Sequence, residues 1–198
     1  NNKIKFKQSA SLEAQISAIS DDIAYNNHDI QDGIKAKMFS LSELIEIDFF
    51  KDIFNSHKKY IKKKNKEILI YQIIRDSIDL MVKDLIKNTM INIKKNKIKS
   101  LNNVYNFKRP IVMFSNKYLN IDKEIRFFLR SKMYNNKNVI VKNDKGKKII
   151  KNLFLLIKKR PNKFLTNDQL KHDKHRAIAD FISGMTDRFA INLHKNIR

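Results

Sequence analysis

The sequence predicts an all-α protein, a bundle of packed helices, and three observations carry that expectation. Only 3 glycines and 2 prolines interrupt the 198 residues, too few for a turn-rich β architecture. Hydrophobic residues make up 42% of the chain, enough at this length to bury a sizeable core. Those residues recur at helical spacing over long runs, the mark of amphipathic helices.

Five main helical stretches and a shorter one can be read in order. Over residues 11–37, Leu12, Ile16, Ile19, Ile23, Ile30 and Ile34 define one apolar face, with Ser9 or Ser11 as N-cap and Gly33 near the end. Residues 40–56 open on Ser40 followed by Glu43, a capping-box spacing, and turn Leu44, Ile47 and Phe54 inward. The lysine-rich run at residues 62–66 reads as a loop. A long central helix over residues 67–93 carries Ile70, Ile74, Ile78, Met81, Leu85 and Ile86 as a core-facing stripe.

Residues 94–117 lose the helical period and contain Arg109-Pro110, where proline lacks an amide hydrogen and restricts its predecessor. They read as loop and extended chain. Helix resumes at Asp122 with Ile125, Phe128, Leu129 and Met133, and stops at the polar run of residues 135–138. A short helix over residues 147–158 precedes Pro161. A last helix over residues 174–195 turns Ile178, Phe181, Ile182, Met185 and Phe189 inward, with Gly184 allowing close helix approach.

Composition bounds the function classes. The chain has no Cys, which excludes a disulfide scaffold and fits a reducing cytoplasm. No run approaches the roughly 18 apolar residues of a membrane span, so no membrane partner is expected. The opening Asn1-Asn2-Lys3 has neither an initiator Met nor an apolar leader, and reads as an internal start of a longer protein. A net charge of +22 permits weak binding to nucleic acid. The excess is mostly Lys scattered among Asn and Ile, which share A/T-rich codons, so base composition on solvated surfaces explains it equally well.

Positive charge is absent from one long stretch of this basic chain. Residues 8–34 hold no Lys or Arg, although the chain has 42, yet include Glu13, Asp21, Asp22, Asp29 and Asp32. Wound at about 100° per residue, Asp21, Tyr25, His28, Asp29 and Asp32 form one stripe opposite the Leu/Ile face. Ala10, Ala14, Ser17 and Ala18 continue it. Small residues followed by carboxylates, Tyr and His can line a pocket for a divalent cation and a sugar hydroxyl, because hard cations take oxygen ligands and carboxylates accept from hydroxyls. The same pattern also fits a plain solvated helix face, and His28 taken alone fits a surface residue.

Longer motifs narrow the reading. Glu13-Ala14-Gln15, followed by Asp21-Asp22-Ile23-Ala24-Tyr25-Asn26-Asn27-His28-Asp29-Ile30-Gln31-Asp32-Gly33, resembles the EAQ…DDIAYxxHDxxDG signature of bacterial deoxyguanosinetriphosphate triphosphohydrolase-like (dGTPase-like) proteins of the HD superfamily. Residues 175–190, His175-Arg176-Ala177 through Gly184-Met185-Thr186-Asp187-Arg188-Phe189-Ala190, are similar to the same family's RxxxDYIAGMTDRFA. Residues 122–134, ending Met133-Tyr134, resemble the intervening helix more loosely. The motifs stand in the family's order and bracket most of the chain.

The resemblance implies an HD-domain-like helical bundle that lacks the N-terminal half of the HD core. Residues 1–40 would carry the C-terminal part of the metal and nucleotide site, and residues 41–198 the C-terminal helical region. It also implies hydrolysis of a deoxynucleoside triphosphate to deoxynucleoside and triphosphate, water attacking the α-phosphorus with help from a divalent metal, Mg or Mn. By that match Asp21 is a metal ligand, Tyr25 packs on the sugar ring and Asp29 accepts the 3′-hydroxyl proton. Their edge is then expected to face inward onto a nucleotide cavity.

The His and His-Asp ligands and the catalytic His of the family are expected upstream of this chain. His28-Asp29 follows DDIAY and is not that pair. The chain alone is therefore expected to be inactive. Arg126 and Arg130, one turn apart, could reach substrate phosphates or a partner subunit, or lie on a solvated face. Arg176 could pair with Asp180, and Asp187-Arg188 could brace a neighbouring element, as packing or as substrate and interface residues. The partners implied are a deoxynucleoside triphosphate and either a homo-oligomer or a missing N-terminal half. A non-enzymatic basic module on nucleic acid, or a regulatory subunit of a complete paralogue, remain the alternatives.

Overall fold

The computed structural model describes residues 8–57 and 66–197. Among them are ten α-helices and no strand, so the all-α expectation holds. None of the helices is long and apolar enough to cross a membrane. The loop expected at residues 62–66 lies, apart from Lys66, outside the described residues. The chain forms two compact units, Asn1–Asn135 and Asn136–Arg198.

In the first unit, α1 (Leu12–Lys35) is capped by Ser11, whose side chain accepts from the Ala14 amide. Ser9, the other cap candidate, instead donates its hydroxyl to the Phe107 carbonyl. Ile23 and Ile30 bury the apolar face of α1. Gly33 is buried directly under Phe39, and a Cβ there would collide with that ring. Phe39 in turn meets Phe128 edge-to-face at 4.8 Å, so the ring has little room to yield.

The single helix expected over residues 40–56 is two. Ser40 and Glu43 form the anticipated capping box, but α2 spans only Leu41–Leu44 and α3 begins at Asp48 (Asp48–His57). The break lets Leu44 and Phe50 both reach the core, at 1% and 0% exposure. The long helix α4 (Lys66–Lys95) matches its expectation in extent, with Ile74, Met81 and Leu85 buried. Ile86 does not follow that stripe: it is 60% exposed, one residue and about 100° round from Leu85.

Residues 94–117 hold more structure than their lost period suggests. A short α5 (Leu101–Asn106) sits behind a Ser100–Asn103 capping box, and the next helix, α6 (Asn116–Leu129), starts six residues before the expected Asp122. Between them the chain has no regular secondary structure, yet Ile111, Val112 and Phe114 are buried. A buried segment outside a sheet must find partners for its peptide groups, and side chains of α1 and α4 supply them. Gln15 Oε1 accepts from the Ile111 and Val112 amides at 2.8 and 3.2 Å. Asn92 and Asn88 donate to the Ile111 and Met113 carbonyls, and Asp84 accepts from the Ser115 amide and hydroxyl. Helix α6 continues into a π turn, Arg130–Tyr134.

The second unit is built on α7 (Lys137–Lys159), α8 (Asn167–Leu170), α9 (Lys174–Ser183) and α10 (Asp187–Asn196). Helix α7 starts ten residues before the expected 147, because Asn136 caps it and its lysine-rich first turns cost little in solvent. Leu153 and Ile157 of α7 pack with Ile178 and Ile182 of α9 and Ala190 of α10. The last helix expected as one is also two, broken at Gly184 and restarted by the Thr186 cap. Phe189 is consequently 52% exposed instead of core-facing. Gly184 permits no close helix contact: a Cβ there would meet only the Asp180 and Phe181 carbonyl oxygens of its own helix, at 3.7 Å.

Candidate active site

The site is assembled where α1 runs beside α6. Asp122, near the middle of α6, is buried at 7% exposure and accepts from Asn26 of α1 at 3.1 Å and from Arg126 Nε at 2.8 Å. Arg126 Nη2 reaches back to Asp22 of α1 at 2.9 Å. Partial burial opposes the charge on Arg126, but its bonds to Asp122 and Asp22 outweigh that and raise its pKa. Asp22, Asn26, Asp122 and Arg126 thus form a clamp that sets the rotation of α1 against α6.

That rotation decides what α1 presents. Asp21, Tyr25, His28 and Asp32 share the exposed side, Tyr25 at 68%. Asp29 is half-buried and accepts a hydrogen bond from the Tyr134 hydroxyl. Burial first, then the Asp29 carboxylate, pushes Tyr134 up to about 12, so this phenol stays a donor throughout the neutral range. The π turn is the element that delivers Tyr134; such bulges re-aim side chains that a regular helix would carry elsewhere.

The expectation that this edge faces inward onto a cavity is corrected. Within the first unit the apolar face of α1 takes the core, leaving Asp21, Tyr25 and His28 open to solvent. A groove of about 940 Å³ lies instead in the second unit, between α7 and α10, with Lys142, Lys148, Ile150, Ile191 and His194 among its walls. A crevice of about 290 Å³ lies between Leu12, Ile93 and Leu101. Neither includes Asp21, Tyr25 or Asp29.

Of the other residues singled out from sequence, Arg130 is exposed on the π turn. Arg176 is exposed and pairs with Asp180 at 2.8 Å, the within-helix pair anticipated for it. Asp187 opens α10 and lines the α7–α10 groove. Sequence reasoning did not single out Asp22, Asn26 or Tyr134 as site residues. Tyr134 carried one signal, the Met133-Tyr134 that closes the loosely matching segment.

The described residues do not by themselves complete a divalent-cation site. Magnesium takes six oxygens and calcium six to eight, and among the described residues no three His, Asp or Glu side chains gather as a ligand set. Asp21 offers one carboxylate.

Comparison with known proteins places the chain. The sequence model of a phosphohydrolase-associated domain matches residues 112–196. A deoxyguanosinetriphosphate triphosphohydrolase-like protein of Pelagibacter ubique (strain HTCC1062) is 73% identical over 196 residues, covering 99% of this chain and 53% of the relative. Over nearly its whole length the chain resembles the dGTPase-like proteins of the HD superfamily. Proteins of the same description from Rickettsia prowazekii (strain Madrid E) and Leptospira interrogans are 33% and 34% identical over 202 and 193 residues, covering 99% and 94% of this chain. The chain spans about half the length of these relatives, at 53%, 53% and 51%.

Proposed function

We propose that the chain contributes the sugar-facing wall, and one metal carboxylate, of a deoxynucleoside triphosphate triphosphohydrolase. The observation that carries this reading is the Asp21–Tyr25–Asp29 edge, three residues each one turn apart, with Asp29 already engaged by Tyr134. Tyr25 offers an unobstructed ring face for a deoxyribose. Asp29 accepts the 3′-hydroxyl on the oxygen lone pairs that Tyr134 leaves open, and the donating phenol holds that carboxylate to one rotamer. Asp21, one turn from Tyr25, acts as a metal ligand only together with residues from outside this chain, and the catalytic His lies outside it as well.

The test uses a full-length protein in which this chain replaces the matching part of the Pelagibacter relative. Triphosphate release from each dNTP is measured with Mg²⁺ or Mn²⁺, beside the chain alone, which is expected to be inactive. Asp29→Asn should lower kcat/KM on dNTPs by about 10- to 100-fold, the range of one well-placed hydrogen bond to a charged group. The same substitution should matter little on 3′-deoxy analogues, which lack the hydroxyl. An equal loss on both substrates would remove Asp29 from the sugar site, and full activity in Asp21→Ala would remove the metal assignment.

A further inference from the structure

Among the described residues, helix α4 buries one side in the first unit's core and exposes several large apolar residues on the other, beside Arg75, Asp79 and Lys83. Ile73, Ile74, Met81 and Leu85 are buried in the first unit's core. Round the helix from them, Tyr71, Val82, Ile86 and Met90 lie 53%, 37%, 60% and 50% exposed. Val82, Ile86 and Met90 are each one turn apart and form an apolar stripe, and Tyr71 lies on the same side three turns before Val82, beyond the exposed Arg75 and Asp79. A surface helix puts polar residues on the side away from its core, whereas a helix apolar on both sides is covered on both.

The stripe borders the candidate site. Lys35 of α1 holds its ammonium 5.4 Å from the centre of the Tyr71 ring, so that edge of α1 abuts the stripe. Asp21, His28 and Lys35 are spaced by seven residues, two turns each, and share one side of α1. Asn27 Nδ2 meets Met81 Sδ at 3.8 Å further along the same antiparallel pair, which sets Asp21 level with the stretch of α4 containing Ile86 and Met90. The acidic edge and the apolar stripe therefore open onto one continuous face.

We infer that this face seats the portion of the family's length that the chain does not span, through a helix whose apolar side covers Val82, Ile86 and Met90. The inference rests on the proposed function for what that portion brings to Asp21. Its occupant is argued from the relatives, which are about twice as long as the stretch this chain covers, and from the shared face, since one docking event covers the stripe and walls in the edge. Burial of a contiguous exposed apolar patch is the common driving force for such an interface.

Ile86→Asp is made in two proteins, the chain alone and the full-length protein in which it replaces the matching part of the Pelagibacter relative. In the chain alone Ile86 is solvated, and the midpoint of thermal unfolding should stay within about 1 °C. In the full-length protein an aspartate enters an apolar contact, and Tm should fall by about 5 °C or more without any nucleotide present. If full-length Ile86→Asp is insoluble, Ile86→Ser carries the same comparison with a smaller fall. An unchanged full-length Tm overturns the inference. So does a chain that is dimeric alone by light scattering and monomeric as Ile86→Asp, because a second copy would then own the face. The unfolding readout is independent of hydrolysis, so loss of the sugar-site assignment and loss of the docking face register separately.

Discussion

In the first unit, Asp22, Asn26 and Asp29 of α1 are bound to Arg126, Asp122 and Tyr134, residues 104, 96 and 105 positions away. In the second, Arg176 and Asp180 bind each other across one turn of α9. Both stretches carry long family motifs, yet one uses its polar residues to fix a second element and the other satisfies them locally. Long-range polar ties between helices set rotation and register, which a site needs and a packing unit does not. The contrast supports the proposed site on α1 and α6, whereas α9 and α10 pack around Leu153 and Ile157.

Removing the centre of the clamp should have the largest effect. Asp122→Ala leaves Asn26 without that acceptor and strips Arg126 of one carboxylate, and should cost about 2–3 kcal/mol in chemical denaturation. Arg176→Ala, its counterpart on α9, should leave the transition where it is, since that pair is exposed. Equal losses would break the comparison.

The glycines sharpen it next. Gly33→Ala drives a methyl into Phe39, itself braced by Phe128, and should destabilise the chain by about 1–3 kcal/mol through overpacking. Gly184→Ala meets only ordinary contacts at an ordinary φ of −78° and should be tolerated, as thermal melts of the two variants would report.

A smaller effect is expected at the site. Tyr134 is raised to about 12 from an ordinary 10.0, so the folded state favours its neutral form. That contribution is whole below pH 10 and is lost as pH rises through about 12. Ultraviolet titration should show Tyr134 ionising late beside Tyr118, which burial and Asp84 also raise, and Asp29→Asn should bring Tyr134 alone partway down, because burial remains. A tyrosine titration unchanged by Asp29→Asn would separate the two residues.

Much of the helical content was legible, because an amphipathic period states which residues share a side. Helix α1 came out within two residues of its expected ends, and the Ser40–Glu43 box lay where its spacing put it. The joins were less legible. The apolar period runs on through residues 45–47 and through Gly184–Thr186, where it masked the local stop and start signals of Gly184 and Thr186, and the lysine-rich start of α7 showed no face to read. The segment at residues 111–115 looked like loose chain because its partners, Gln15, Asp84, Asn88 and Asn92, are distant in sequence.

Residue order alone determined the long helices α1 and α4, the Ser40–Glu43 cap and the grouping of Asp21, Tyr25, His28 and Asp32 on one side, since spacing along a helix is a local property. Tertiary structure decided which sides are covered: Ile86 and Phe189 are exposed, Asp122 is buried, and Tyr134 arrives on Asp29 through a π turn. Burial belongs to pairs of elements, and no periodicity within one helix names the neighbour that will cover it.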